Sequence, residues 1–371
     1  MDELTALTRD LVSIPSHDGE AAVGDFIEEW LREHTDAAVT RDDAGEHDET
    51  DSAPRGGNVI ARKGSGDRSL ALVGHHDVVP PDESQVDAGG DYVVYQEDGR
   101  LYGRGSADMK GAVAAAMLAF RDADPDCELV FASFVGEEVG GVGARYAIDQ
   151  GFAPDHALVA EGSTGYDSPE GIVDVALAHK GRRGSTVTAR GAAAHASEPH
   201  LGENAIYRGC EAVERIKNLD WPTTEAAGET LEGSVVVTEI DGGSAWNVVP
   251  ETCEITVDER TVPGERAALE SVEELEGVEW SVVQDLPPMR CDDDEFADAV
   301  LNAVREVQSG DGQHVTKPHA TDAGWLSGAG TECVVCGPSE PGEAHTRDES
   351  VSLAVLETCY EAYLGLADSW S

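Results

Sequence analysis

Basic residues are scarce in this 371-residue chain: 25 Lys and Arg stand against 74 Asp and Glu, for a formal net charge of −49. Lysine is scarcer still, confined to Lys63, Lys110, Lys180, Lys217 and Lys317. So acidic a surface repels phosphate backbones and anionic headgroups, which argues against nucleic acid and membranes as partners. It suits a cytosol kept at molar salt, where the Debye length shrinks to roughly 3 Å, so a salt-loving source is expected. The chain opens without an apolar segment of signal-peptide type, and no run approaches the ~18 apolar residues of a membrane span. A cytoplasmic protein is therefore expected. A disulfide framework is missing too: Cys127, Cys210, Cys253, Cys291, Cys333, Cys336 and Cys359 are odd in number and dispersed, the pattern of reduced thiols. The C-x-x-C of "TECVVCGP" sits in an apolar, strand-like run with no second pair beside it, which argues against a metal or redox role.

With 40% hydrophobic residues the chain can bury real cores, and its length predicts two domains. "MDELTALTRDLVSIPS" and "EAAVGDFIEEWLREH" carry apolar residues at helical spacing. "GNVIARKG", "SLALVG", "CELVFASFVG" and "DHALVAEG" read as short strands, with the Ala-rich helix "MKGAVAAAMLAFRDA" and the helix "GARYAIDQG" between them. Strands alternating with helices predict an α/β fold with a mostly parallel sheet flanked by helices, whose chemistry gathers at the strand ends. From about Arg182 the order becomes β-α-β-β-α-β, with the second helix at "GERAALESVEEL", which predicts an inserted ferredoxin-like domain over 182–287. The catalytic domain is then 1–181 and 288–371. The acidic stretch Asp42–Asn58 reads as a solvated loop.

"GHHDVVP" places two histidines and an aspartate where a buried strand ends. Alternate residues of a strand share a face, so His75 and Asp77 point the same way and His76 points elsewhere. A ligating imidazole commonly donates its other N–H to a carboxylate, which makes His75 a metal-ligand candidate, Asp77 its orienter and His76 a bystander. Asp108 in "GRGSADMKG", Glu137 and Glu138 in "GEEVGG", Glu161 in "LVAEGS" and His345 in "GEAHTRDE" also fall at strand ends or in loops. Carboxylates mixed with imidazoles suit zinc or a similar divalent ion, and two such ions with a bridging carboxylate form a common hydrolytic site. Asp108, Glu138 and Glu161 leave one positive charge of two divalent ions uncompensated, which an ionised Glu137 would neutralise.

Taken in order, "GHHDVVP", "GRGSADMKG", "GEEVGG", "AEGS" and "AHTRDE" resemble the motifs of the co-catalytic zinc metallopeptidases and amidohydrolases, the family of acetylornithine deacetylase, succinyl-diaminopimelate desuccinylase and aminoacylase. The resemblance spans essentially the whole chain. It implies that His75 and Glu161 bind one zinc, Glu138 and His345 the other, and that Asp108 bridges them. Glu137 is implied as the general base. "RGAAAHASEPHLGENAI" is similar to the segment whose histidine, here His195, reaches across a dimer to stabilise the oxyanion. "GGSAWNVVPETCEITVDER" is similar to the segment whose Asn247 and Arg260 contact substrate. The sequence departs from the family pattern at Gly162, where relatives often carry proline, at His76, and in the length of the acidic loop.

These features predict a hydrolase of N-acylated amino acids, such as N-succinyl-diaminopimelate or N-acetylornithine, using two zinc ions for which cobalt can substitute. The implied assembly is a homodimer through the inserted domain, acting on a small-molecule substrate. Release of lysine or ornithine from an amino-group carrier protein, and dipeptidase or carboxypeptidase activity, are the alternatives. A nucleotide-binding reading of "VGEEVGGVGAR" fails because Glu137 and Glu138 would face the pyrophosphate.

Overall fold

The computed structural model describes residues 3–45 and 55–371. Residues 46–54, most of the stretch expected to be a solvated loop, lie outside the described residues; at its ends Asp42 accepts hydrogen bonds from the Asn58 backbone (2.7 Å) and side chain (2.8 Å). The chain divides into two compact units, one holding the residues through Ala178 with Met289–Lys317 and Thr321–Ser371, the other holding His179–Pro288 and Pro318–Ala320.

The larger unit is built on a nine-stranded sheet. From one edge its order is Ala38–Arg41, Val59–Gly64, Glu128–Phe134, Ser69–His75, His156–Val159, Glu332–Val335, Val175–His179 and Met289–Arg290, with His314–Lys317 beside Val175–His179. The four inner strands, from Glu128–Phe134 to Glu332–Val335, run parallel, while the first two strands pair antiparallel. Successive residues of the inner strands feed opposite faces, as the pleat requires. Leu70, Leu72, Leu129, Phe131, Leu158 and Val334 join a core with the helices Glu3–Ser13, Ala21–His34, Gly111–Asp122, Asp294–Val307 and Leu353–Ser369. Ala71, Val73, Val130, Ala132, Ala157, Val159, Cys333 and Val335 join a second core with the helices Val142–Asp149 and Asp322–Gly328. Burial on both faces explains why these strands read as continuous apolar runs. The Ala-rich helix Gly111–Asp122 follows the same logic: its first ten residues are all buried, which small side chains permit. All seven cysteines are free thiols, Cys333 and Cys336 among the buried ones. Among the described residues no helix is long and apolar enough to cross a membrane.

The smaller unit has a four-stranded antiparallel sheet in the order Ser234–Gly242, Thr252–Thr261, Gly181–Arg190 and Val278–Leu286. The helix Ala205–Lys217, capped by the Asn204 side chain on the Ile206 N–H at 2.9 Å, packs on it through Ala205, Ala212 and Ile216. The second helix expected at "GERAALESVEEL" is reduced to one 3₁₀ segment, Leu269–Glu274. Gly264 enters it with φ of 104°, outside helical space, and the buried pair Leu269 and Val272 at spacing three is satisfied by a single tight turn. A hairpin of Thr223–Ala226 with Glu229–Glu232, and a two-residue ladder of Ala194–His195 with Val248–Val249, were not expected from the sequence.

Candidate metal centre

Seven of the sequence-predicted residues converge at the carboxyl ends of the parallel strands. His75 closes the strand Ser69–His75 and is buried, its Nε2 lying 3.1 Å from Asp108 Oδ1 and 3.4 Å from Glu161 Oε1. On the other side of the imidazole, Nδ1 faces Asp77 Oδ1 at 3.3 Å and the Asp77 carbonyl at 3.1 Å. Asp77 does more than orient a histidine. Its two oxygens also accept the backbone N–H groups of Glu137 (3.1 Å) and Glu138 (3.0 Å), so one carboxylate fixes both His75 and the turn that carries two acidic residues. His76 points away: its Nδ1 meets Ser133 Oγ at 2.8 Å, and burial pushes its pKa down to about 3, so it stays neutral.

Asp108 stands between the two histidines. Its Oδ1 faces His75, and its Oδ2 lies 3.2 Å from His345 Nε2, which in turn sits 2.9 Å from Glu138 Oε1. Two clusters result, each with ligand atoms within 4.8 Å of one another: Asp108, Glu138 and His345 in one, His75, Glu137 and Glu161 in the other. The placement of Asp108 Oδ1 beside His75 joins them through a single carboxylate.

The electrostatics call for cations. Burial and the surrounding carboxylates push Glu137 well above the ordinary carboxyl range, and burial also raises Glu138. Hydrogen bonds donated by His345 to Asp108 and Glu138 lift its pKa to about 10; His75 is held well above its usual value by Asp108, Asp77 and Glu161 although burial opposes its charge. Among side chains alone, then, protons serve as counter-charge to the carboxylates. Two imidazoles and three oxygen-donor side chains match the preferences of zinc and related divalent ions, which would displace those protons.

The loop bearing His345 is held by groups that sequence reasoning passed over. His345 has φ of 64°, a left-handed conformation uncommon outside glycine. Around it, Gln85 Nε2 donates to the Thr346 carbonyl at 3.2 Å, Thr346 Oγ1 donates to the Glu343 carbonyl at 2.8 Å, and Arg100 pairs with Glu343. Buried Glu349, four residues on, accepts the N–H groups of Ala107 and Asp108 at 3.1 Å each and pairs with Arg104. The Asp108 loop and the His345 loop are thus tied through the Glu349 carboxylate. The one signal for Glu349 was its place at the end of "AHTRDE". Lys317 and Asp322 were also missed: the first donates to Glu161 Oε2 at 3.3 Å, and the second is fully buried with neither oxygen hydrogen-bonded. Gly141, in the turn after Glu138, has no room for a Cβ, which would lie 2.9 Å from Asp322 Oδ1 and strike Trp325. Gly162 is likewise required, since a Cβ there would come within 2.6 Å of the Ser339 side chain.

Burial raises the Asp322 carboxyl to about 8, against roughly 4 in an unfolded chain. The unfolded chain therefore gives up its proton first, and this group costs stability progressively as pH rises from about 4 to about 8. Asp322→Asn, which cannot ionise, is expected to raise the Tm of chelator-treated protein at pH 7.5, by an amount that shrinks towards pH 5. A Tm difference independent of pH would show that the carboxyl is not the cause.

His195, Asn247 and Arg260 lie in the smaller unit. His195 pairs with Val248 in the short ladder, and the Ala196 N–H donates to the Asn247 carbonyl at 2.9 Å, so His195 and Asn247 are neighbours. The His195 ring is exposed and shares a hydrogen bond with Ser197 Oγ at 2.7 Å. Arg260 is on the strand Thr252–Thr261 with its Nε on Asp258 Oδ1 at 2.8 Å.

Comparison with known proteins gives a consistent picture. A sequence profile of peptidase family M20/M25/M40 matches residues 71–369. An acetylornithine deacetylase from Myxococcus xanthus is 33% identical over 329 residues, covering 84% of this chain and 83% of its own length. A succinyl-diaminopimelate desuccinylase from Thioalkalivibrio sulfidiphilus is 28% identical over 330 residues, covering 83% of this chain and 85% of its own. Among solved structures, a dinuclear metal-binding peptidase of the M20 family from Bacillus subtilis superposes with a TM-score of 0.68 at 17% identity, over 98% of this chain and 96% of that one.

Proposed function

The chain belongs to peptidase family M20/M25/M40, and on that premise we propose that it is a two-zinc amidohydrolase that removes the acyl group from an N-acylated diamino acid. The observation that carries this reading is Asp108, one oxygen towards His75 and the other towards His345, with Glu137 lying beside them and taking no hydrogen bond from either histidine. His75, Asp108 and Glu161 would hold one ion, and Asp108, Glu138 and His345 the other. Bound there, two divalent ions supply Lewis acidity, polarising the scissile carbonyl and lowering the pKa of the attacking water. Glu137 takes the proton from that water and delivers it to the departing amine. Asp77 holds His75 in one tautomer and, through the Glu137 N–H, holds the base in place. His195 is assigned to the developing oxyanion, and Asn247 and Arg260 to substrate contacts.

Among the acyl groups considered, acetyl is favoured over succinyl. Arg182 bonds Asp258 at 2.9 Å and Arg183 bonds Asp285 at 3.2 Å and Glu259 at 3.5 Å, so a second substrate carboxylate would have to displace those partners in addition to the Asp258 contact that Arg260 makes at 2.8 Å. The relative from Myxococcus xanthus, an acetylornithine deacetylase, supports the same choice. The test is a panel of N-acetylornithine, N-succinyl-diaminopimelate and γ-glutamyl-linked lysine: hydrolysis of the first with the highest kcat/KM is expected, and preference for the second or third would reassign the acyl group. Chelator-resistant hydrolysis of all three would remove the metal-dependent reading.

The protein is further proposed to be a cytoplasmic homodimer of a high-salt cell, joined through the smaller unit, where Leu201, Tyr207 and Trp246 are exposed apolar side chains. With a net charge of −49, self-repulsion is strong in dilute buffer and screened in molar salt. Sedimentation equilibrium in molar KCl is expected to give twice the chain mass, and Tm is expected to fall steeply as salt is removed. A monomer throughout, or a Tm insensitive to salt, would contradict this.

A further inference from the structure

Lys317 is one of only five lysines, and it is buried beside a metal-ligand candidate. It ends the strand His314–Lys317, where its side chain is 6% exposed and its ammonium donates to Glu161 Oε2 at 3.3 Å. The other oxygen of the same carboxylate, Oε1, lies 3.4 Å from His75 Nε2. The two oxygens of Glu161 thus have separate partners: one faces the imidazole across the space where an ion would sit, and the other faces a fixed ammonium. A carboxylate can embrace a divalent ion with both oxygens only if both are free to turn towards it. Buried as it is, Lys317 has little room to swing away, and burying an ammonium without a partner would be costly.

We propose that Lys317 makes Glu161 a one-oxygen ligand and so keeps a coordination position open for substrate on the His75 side of the site. Catalytic zinc sites need such a position, whereas closed four-ligand sites are structural. The ammonium also places a positive charge directly beside the Glu161 carboxylate. Lys317 is a positioning residue here, acting on substrate through Glu161.

The inference rests on the two-metal reading above and has a signature that simple damage to the site would not produce. Removing the ammonium lets Glu161 chelate and removes a nearby positive charge, so metal affinity should hold or rise while turnover falls. In cobalt-substituted full-length protein, Lys317→Met is expected to keep two ions per chain by chelator competition and to show weaker visible cobalt absorption, as higher coordination gives. Its turnover should be lower by roughly 10- to 100-fold. Lys317→Arg should retain the parent spectrum and most of the turnover. An unchanged spectrum and turnover in Lys317→Met, or loss of metal together with turnover, overturns the proposal. Should Lys317→Met not fold, Lys317→Gln, which also removes the charge, is judged by the same two readouts. The unmodified chain separates the questions: no cobalt binding there refutes the two-metal reading and this inference together, whereas normal binding there with a silent Lys317→Met refutes this inference alone.

Discussion

Glu137→Gln is expected to lose roughly 10²- to 10⁴-fold in turnover while still binding two divalent ions per chain. Its neighbour should behave in the opposite sense: Glu138→Gln should weaken metal binding, since Glu138 Oε1 faces His345 Nε2 at 2.9 Å in the Asp108 cluster. The amide is nearly isosteric with the carboxylate but cannot accept a proton at neutral pH. The turn itself should survive either change, because Asp77 binds the backbone N–H groups of both residues and not their side chains. Glu137 is pushed well above the usual carboxyl range by burial among carboxylates, a setting that suits a group that must take up a proton and release it within one turnover. Four positive charges on two ions would pull that pKa back down and favour the ionised base. Metal content and kcat measured on the two variants decide the assignment. Loss of metal in Glu137→Gln with retention in Glu138→Gln would exchange the roles, and no change in either would mean that the chemistry lies elsewhere.

How much of this was legible in the chain depends on the range of the interaction involved. The inner strands could be found because residues such as Leu70 to Val73 are apolar on both faces, and their ends could be found because His75, Glu137 and Glu161 interrupt those runs. The role of Asp77 towards His75 follows from a spacing of two on an extended chain. Its grip on Glu137 and Glu138 does not, because it joins segments about sixty residues apart in different loops. Lys317, Asp322 and Glu349 went unseen for the same reason. Lys317 and Asp322 are single charged residues with no local pattern, Glu349 had only its place at the end of "AHTRDE", and each acquires meaning from a partner brought near by the sheet: Glu161 for Lys317, the glycine turn at Gly141 for Asp322, the Asp108 backbone for Glu349. The failure at "GERAALESVEEL" is of another kind. Its composition favours a helix, but the chain enters through Gly264 in a left-handed conformation and buries Ala267, Leu269 and Val272 in and just before one short 3₁₀ segment, so tertiary context overrode local propensity.

Asp108→Ala is expected to weaken both metal sites at once, by at least ~10²-fold each, where any other ligand substitution weakens chiefly one. The bound rests on a comparison: losing a partner that merely orients a ligand already costs 10- to 100-fold, and Asp108 is a ligand to both ions in the reading proposed here. Its two oxygens face different histidines, Oδ1 at 3.1 Å from His75 Nε2 and Oδ2 at 3.2 Å from His345 Nε2. The substitution leaves the loop intact, because the Ala107 and Asp108 N–H groups are held by Glu349, whose own partner is Arg104. Misfolding and ligand loss can therefore be told apart. Chelator-treated Asp108→Ala should remain folded by circular dichroism, since it removes one of several mutually repelling buried carboxylates as well as a partner of two histidines. Isothermal titration with zinc and with cobalt gives the readout, with Glu138→Gln and His75→Ala as the single-site comparison. Two tight sites surviving in Asp108→Ala would show that the ions do not share this carboxylate; one tight site surviving would assign Asp108 to the other cluster alone and leave Glu137, which lies with His75 and Glu161, to be reconsidered as a ligand.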